Sequence, residues 1–160
     1  MHYQAIENKI LSSGIFDQWL TEIRPEINKL VFTNGCFDVI HKGHITYLAR
    51  AADMGSHFMV ALNTDKSVKR LKGESRPLQD ELSRALIMAS FEFVDYVVLF
   101  DEDTPSRLID MVVPDVLVKG GDYEPRDIVG YNTVVNAGGE VKTIEFLSGH
   151  SSSQIINKLI

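Results

Sequence analysis

The chain has 160 residues, 44% of them hydrophobic and 24% charged, with a formal net charge of -6. That length holds one well-buried domain, and the composition lies far from the polar, low-aromatic signature of disorder. The acidic balance argues against general nucleic-acid binding, which rests on lysine and arginine neutralising phosphates, and no apolar run approaches the roughly 20 residues that span a bilayer.

Residues 1–28 read as an amphipathic helical extension, with Ile6, Ile10, Phe16, Leu20 and Ile23 available to pack. Its first residues lack the basic head and apolar core of a signal peptide, so the expected compartment is the cytoplasm. A single cysteine, Cys36, forms no internal disulfide and agrees with a reducing environment. Lys29 to Thr33 is a short apolar run ended by Asn34-Gly35, the pattern of a buried strand entering a turn. From Gly43 to Asp53 the residues Ile45, Leu48, Ala49 and Ala52 recur at helical spacing, and Gly55 stands where a helix C-cap belongs. The alternation continues with a strand from His57 to Leu62, a basic polar stretch, a helix from Glu81 to Ser90 and a strand from Tyr96 to Phe100. A helix over Thr104 to Val112 follows, with Thr104-Pro105 as N-cap and first residue, then a strand over Val116 to Val118. A weaker helical piece at Pro125 to Asn136, a strand at Val141 to Ile144 and a last helix from Ser151 to Ile160 complete the chain. Near-continuous apolar strands alternating with helices imply an α/β fold: a doubly wound, Rossmann-like, five-stranded parallel sheet covered on both faces. Ligands of such sheets bind beyond the carboxyl ends of the strands, where the strand order reverses.

Chemistry concentrates in the stretch Thr33 to His44, which joins the first long strand to the first long helix. His41 and His44, three apart, fall on one side of a helix's opening turn, where unsatisfied backbone N–H groups and the dipole already favour an anion. Two imidazoles there donate hydrogen bonds to phosphate oxygens. Gly43 removes a side chain from the approach, and Gly35 lets the backbone turn. A second concentration is basic: Lys66, Lys69, Arg70, Lys72 and Arg76 stand against the single Glu74, the composition of a mobile loop that closes over phosphates. Lys119 ends a buried run and must reach a strand-end crevice, which suits it to an acceptor phosphate. Asp38 and Asp122 are candidates for helping to hold Mg²⁺, and Asp38 equally for capping its own loop through backbone amides. Cys36 lies beside the site with no base to make it a nucleophile.

Gly35-Cys36-Phe37-Asp38 followed by His41-Lys42-Gly43-His44 resembles the signature of the cytidylyltransferase-like nucleotidyltransferases, Gly-x-Phe-Asp and His-x-Gly-His in register. The resemblance runs on through Asn63-Thr64-Asp65, Arg84, Phe93-Val94-Asp95, Lys119-Gly120-Gly121-Asp122 and Gly149-His150-Ser151-Ser152-Ser153, covering residues 29–160 as a nucleotidyltransferase domain. It implies attack by a phosphate oxygen of an acceptor on the α-phosphorus of a nucleoside triphosphate, with no covalent enzyme intermediate. It implies further that His41, His44, Lys72 and Arg84 act on the triphosphate. Thr33, Asn34, Gly35, Cys36, Phe37, Gly43, Asn63, Asp65, Gly120 and Asp122 line the nucleotide, and Gly149, Ser151, Ser152 and Ser153 form a second phosphate cradle. Asp38 and Lys119 would hold the acceptor and Asp122 a metal.

Within the family, Val31 to Asp38, Lys69 to Gly73 and Asp115 to Asp122 are most similar to the adenylyltransferases that make ADP-heptose from heptose 1-phosphate. Three serines stand where the last motif usually carries Ser-Thr-Thr, keeping the hydroxyls. Phe146 occupies the place of an arginine in the glycerol-phosphate cytidylyltransferases, which turns the expected nucleotide from CTP to ATP. The resemblance also implies Mg²⁺, small-molecule partners and a homodimer. A cytidylyltransferase acting on glycerol 3-phosphate and a non-catalytic nucleotide-binding module remain the alternatives.

Overall fold

The computed structural model describes residues 1–145 and 152–157. The N-terminal stretch forms α1 (His2–Glu7), a two-residue strand β1 (Ile10–Leu11) and α2 (Ser13–Gln18), continued by a π turn at Trp19–Ile23 and a 3-10 turn at Arg24–Glu26. Then come β2 (Leu30–Gly35), α3 (Lys42–Ala52), β3 (His57–Asn63), α4 (Asp65–Lys72), α5 (Glu81–Ala89), β4 (Tyr96–Phe100), α6 (Ser106–Val112) and β5 (Val116–Gly120). A 3-10 turn at Pro125–Asp127, α7 (Tyr131–Asn136), β6 (Glu140–Ile144) and α8 (Ser152–Asn157) follow.

Every strand pairing is parallel, in the order β1-β4-β3-β2-β5-β6. The order runs one way from β2 to β4 and the other way from β5 to β6, so the reversal lies between β2 and β5. Side chains alternate across the sheet with period two and sort the core into two halves. Leu30, Phe32, Met59, Ala61, Val98 and Leu117 face α6, α7 and the N-terminal stretch, whereas Val31, Phe58, Val60, Leu62, Val97 and Val118 face α3 and α5.

Among the described residues the sheet has six strands, where the sequence pattern predicts five. β4 would otherwise be a bare edge, and Ile10 and Leu11 pair with Val97 and Val98 to cover it. The N-terminal extension is thus built into the core: Phe16 and Trp19 are buried and stack, Trp19 sets its edge on Tyr96, and Arg24 bonds the Val112 and Val113 carbonyls and Asp115. Ile23 and Ile45, which the periodicity marks as apolar contacts, are 44% and 43% exposed.

From Lys66 to Lys72 the basic stretch is a helix, and only its last part, Gly73 to Arg76, is a loop. Thr64 caps α4 by accepting from the Ser67 amide at 3.2 Å, Val68 is buried beneath it, and the basic residues of its last turn suit the helix dipole. Likewise α6 starts at Ser106 with Pro105 in the cap position and no side-chain cap, one residue later than Thr104-Pro105 suggests. The segment 125–136 divides into a 3-10 turn and α7, and α8 is described from Ser152.

Candidate active site

At the carboxyl ends of β2, β3 and β5, on the sheet's reversal point, lies a cleft of two lobes. The narrow lobe, about 210 Å³, is lined by His44, Lys72, Arg76, Lys119, Gly120 and Ser152, among others. The wide lobe, about 480 Å³, includes Asn63, Leu71, Asp103, Thr104, Asp127 and Ile128. Asn34, Gly35, Cys36, Lys72, Lys119 and Tyr123 border both.

The turn out of β2 is held by steric fit. A Cβ on Gly35 would come within 2.8 Å of the Phe37 ring, and Phe37 itself sits at φ 46°, a left-handed conformation rare for a bulky residue. Phe37 is buried and sets its ring edge-on to His44 at 5.2 Å between centroids, so it serves as a wall for that imidazole. His41 is the N-cap of α3: its Nδ1 accepts from the His44 amide at 3.4 Å, and the two rings stack at 3.8 Å. Gly43, buried, lets the first turn approach. Burial lowers the His44 pKa to about 4; His41 and Lys72 reinforce the shift, and the Val39 carbonyl opposes it. The imidazole is therefore neutral at physiological pH. A polyanion bound beside it would favour the protonated form and reverse the trend.

Lys119 donates to Asn34 Oδ1 at 3.4 Å, and its burial lowers its pKa, partly offset by Cys36. Cys36 donates to Asn63 Oδ1 at 3.7 Å, and Asn63 in turn donates to Ser67. Ser152 lines the narrow lobe and donates to the Val39 carbonyl at 3.2 Å, which brings the start of α8 against the histidine loop. Gly149, Ser151 and Phe146, and the side chain of Ser153, lie outside the described residues.

Several residues that the motifs assign to ligands lie beneath the cleft instead. Arg84 is 1% exposed; its Nε donates to the Gln79 carbonyl, Nη1 to the Cys36 carbonyl at 2.8 Å and Nη2 to Asp65 at 2.8 Å. A guanidinium on the outward face of α5 would have met solvent, but α5 turns this side inward and three acceptors satisfy it. Arg84 and Asp65 are therefore a strut linking the histidine loop, the start of α4 and the loop before α5.

Thr33 is fully buried and bonds Tyr47 and the Val118 carbonyl, pinning β2 to β5 and α3 rather than touching a nucleotide. Burial pushes the Tyr47 hydroxyl up to about 12, with Thr33 opposing, so it stays a hydrogen-bonding phenol. Asp38 resolves in favour of capping. Its carboxylate accepts from Arg76 at 2.7 Å and from the Leu78 and Gln79 amides. Burial opposes its ionisation, but the two amides and the guanidinium outweigh it and hold the pKa below the usual value.

Asp122 is exposed and borders neither lobe. Among the described residues no group of three or more His, Cys, Asp or Glu side chains could hold a metal. The Asp38 carboxylate is already bonded by Arg76 and two backbone amides, and Asp122 lies outside the lining of both lobes.

Of the basic residues on α4 only Lys72 borders the cleft. Arg70 turns to Asp101 and Asp103, and Lys66 and Lys69 are exposed. Sequence alone did not mark Tyr47, Tyr123, Asp103, Thr104 or Asp127; only the rule that strand-end loops carry ligand sites points toward 101–105, the loop after β4.

Comparison with known proteins places this geometry. The cytidylyltransferase-like family model matches residues 32–158. A bifunctional protein HldE of Citrifermentans bemidjiense is 54% identical over 96% of this chain, and one of Wolinella succinogenes 48% identical over 99%. The chain spans about a third of the length of these relatives, 32% in each case. A lipopolysaccharide core biosynthesis protein from Thermoplasma volcanium, of known crystal structure, superposes with a TM-score of 0.60 at 26% identity, covering 74% of this chain and 96% of that one. With the signature at the strand ends, the reversal-point cleft and a family model spanning most of its length, the chain belongs to the cytidylyltransferase-like family of nucleotidyltransferases.

Proposed function

We propose that this domain transfers AMP from ATP to a heptose 1-phosphate, giving ADP-heptose and pyrophosphate for cell-envelope sugar synthesis. The observation that carries the reading is the His44 imidazole, stacked on His41 at the opening of α3 and sharing one cavity with Lys72, Arg76 and Lys119. The acceptor is supported by the likeness to HldE proteins and to a lipopolysaccharide core biosynthesis protein.

In the reaction an acceptor phosphate oxygen attacks the α-phosphorus of ATP in line. The new O–P bond forms as the bond from the α-phosphorus to the bridging oxygen breaks, and pyrophosphate leaves with that electron pair. The nucleophile is already anionic, so no base need take a proton from it. The protein's work is to align two polyanions and to offset the charge that gathers in the transition state. His44 donates to a phosphate oxygen with His41 stacked behind it, while Lys72 and Lys119, on the border of the two lobes, bring both anions together. Ser152 and the rest of the serine run hold the β and γ groups at the start of α8.

Mg²⁺ is expected to arrive on the triphosphate, since a few waters and phosphate oxygens complete its shell. Phe146 removes the donor a cytosine carbonyl would need, and ATP is the expected nucleotide. A homodimer working in the cytoplasm on small molecules completes the reading; no helix among the described residues is long and apolar enough to cross a membrane. Pyrophosphate release measured with each of four triphosphates against a panel of sugar phosphates tests it. ATP with heptose 1-phosphate should exceed CTP at least about tenfold in kcat/KM. A dominant CDP-sugar product would refute the adenylyl assignment.

A further inference from the structure

The two lobes differ in charge in a way that orients the acceptor. Lys72, Arg76, Lys119 and His44 surround the narrow lobe, whose one carboxylate among the described residues, Asp38, is bound by Arg76. Beyond the shared border, the wide lobe is lined by Asp103 and Asp127 together with Asn63 and Thr104, and by the apolar Leu71 and Ile128. Two carboxylates repel a triphosphate, so the lobes are not interchangeable. Carboxylates, amides and a hydroxyl over an apolar surface suit a neutral polyol, whose hydroxyls donate and whose C–H faces pack.

We propose, building on the nucleotidyl-transfer reading, that the wide lobe is the acceptor's sugar subsite, with Asp103 the residue that reads sugar hydroxyls and Arg70 the residue that positions it. Arg70 Nε donates to Asp103 Oδ1 at 2.9 Å, leaving Oδ2 to accept from a ligand. The same guanidinium bonds the Asp101 carbonyl, and Thr64, the cap of α4, donates to the Asp101 carboxylate. The loop after β4 is thereby fastened to α4 at both ends of the helix. Leu71 and Lys72, next in the chain after Arg70, border the cleft. One helical turn therefore places both the lysine on the border of the two lobes and the strut for the carboxylate that meets the sugar. The Arg70 and Asp103 side chains are 44% and 66% exposed, and such a pair adds little to stability, so its loss should register in acceptor binding.

The test is pyrophosphate release by the full chain with ATP and either heptose 1-phosphate or a hexose 1-phosphate lacking the extra carbon and its hydroxyl. Asp103→Ala should raise KM for heptose 1-phosphate about tenfold, as loss of one charge-assisted hydrogen bond implies, while KM for ATP stays within about twofold and the melting temperature is unchanged. Its preference for the heptose over the hexose acceptor should shrink. Arg70→Gln should follow in part, and Arg70→Lys should recover much of that loss. An Asp103→Ala enzyme with an unchanged acceptor KM, or with ATP and acceptor KM raised equally, would overturn the subsite while wild-type turnover left the nucleotidyl-transfer reading standing. No pyrophosphate release by wild type with any sugar phosphate would remove both.

Discussion

Signature residues of this chain fall into two tiers that the sequence does not distinguish. His44, Lys72, Lys119 and Ser152 border the cleft, whereas Thr33, Asp65 and Arg84 lie behind it, and these three, like Asp38 on the narrow lobe's wall, spend their polar atoms on the protein. The difference teaches that a motif records everything a site needs, including the groups that hold the ligand-binding residues in place. A strand-end loop such as 36–41 has no ladder of its own, and its geometry comes from these internal partners: Arg84 on the Cys36 carbonyl, Asp38 on the 76–79 segment and Ser152 on the Val39 carbonyl.

The sharpest way to break the comparison is to exchange the tiers' expected phenotypes. Arg84→Met leaves the Asp65 carboxylate and two carbonyls without their donor, and unfolding should become easier by about 3 kcal/mol, the low end for breaking a buried ion pair because Asp65 is partly exposed. Urea unfolding at constant m-value checks this. Unaltered stability with collapsed turnover would move Arg84 into the cleft-facing tier.

A smaller effect separates neighbours on α4. Lys72→Met should raise KM for ATP roughly tenfold, and Lys69→Met should leave it within about twofold, because only Lys72 borders the cleft. Steady-state kinetics at low salt distinguish them, and equal defects would restore a diffuse basic surface.

A third effect, on acid stability, concerns His44 itself. The folded-state pKa of His44 lies near 4 against an ordinary 6.5, so below pH 6.5 the unfolded chain binds a proton that the folded chain refuses. Stability from this group is full above pH 6.5 and declines as pH falls toward 4. His44→Asn should flatten the stability profile in that window, and thermal melts at half-unit steps would show it. An unchanged slope would place the titration elsewhere.

Much of this was legible in advance because burial on both faces leaves a plain mark. Runs such as Phe58 to Leu62 and Val116 to Val118 are apolar throughout, and turns and helical spacing separate them. The histidine loop was legible because a strand, a turn and a helix start frame it. What escaped has physical causes. β1 is two residues long, below the length at which a period shows, and exists because β4 offers it an edge. α4 is strongly polar, with Ser67 and Val68 its only buried residues, so its helicity comes from the Thr64 cap and docking rather than an apolar stripe. Arg84 looks like a solvated charge until α5 is laid against the sheet. Asp103 gains meaning only when Arg70, distant in sequence, holds it at the cleft.

The central claim, that the cleft-facing tier carries the transfer while the buried tier carries the architecture, rests most directly on His44. The decisive measurement is kcat of His44→Ala with saturating ATP and heptose 1-phosphate, with a melting curve recorded on the same preparation. Loss of a donor that acts on transition-state charge should lower kcat by roughly 100-fold or more while the cooperative melt is kept. Near-wild-type turnover in a folded His44→Ala enzyme would contradict the account.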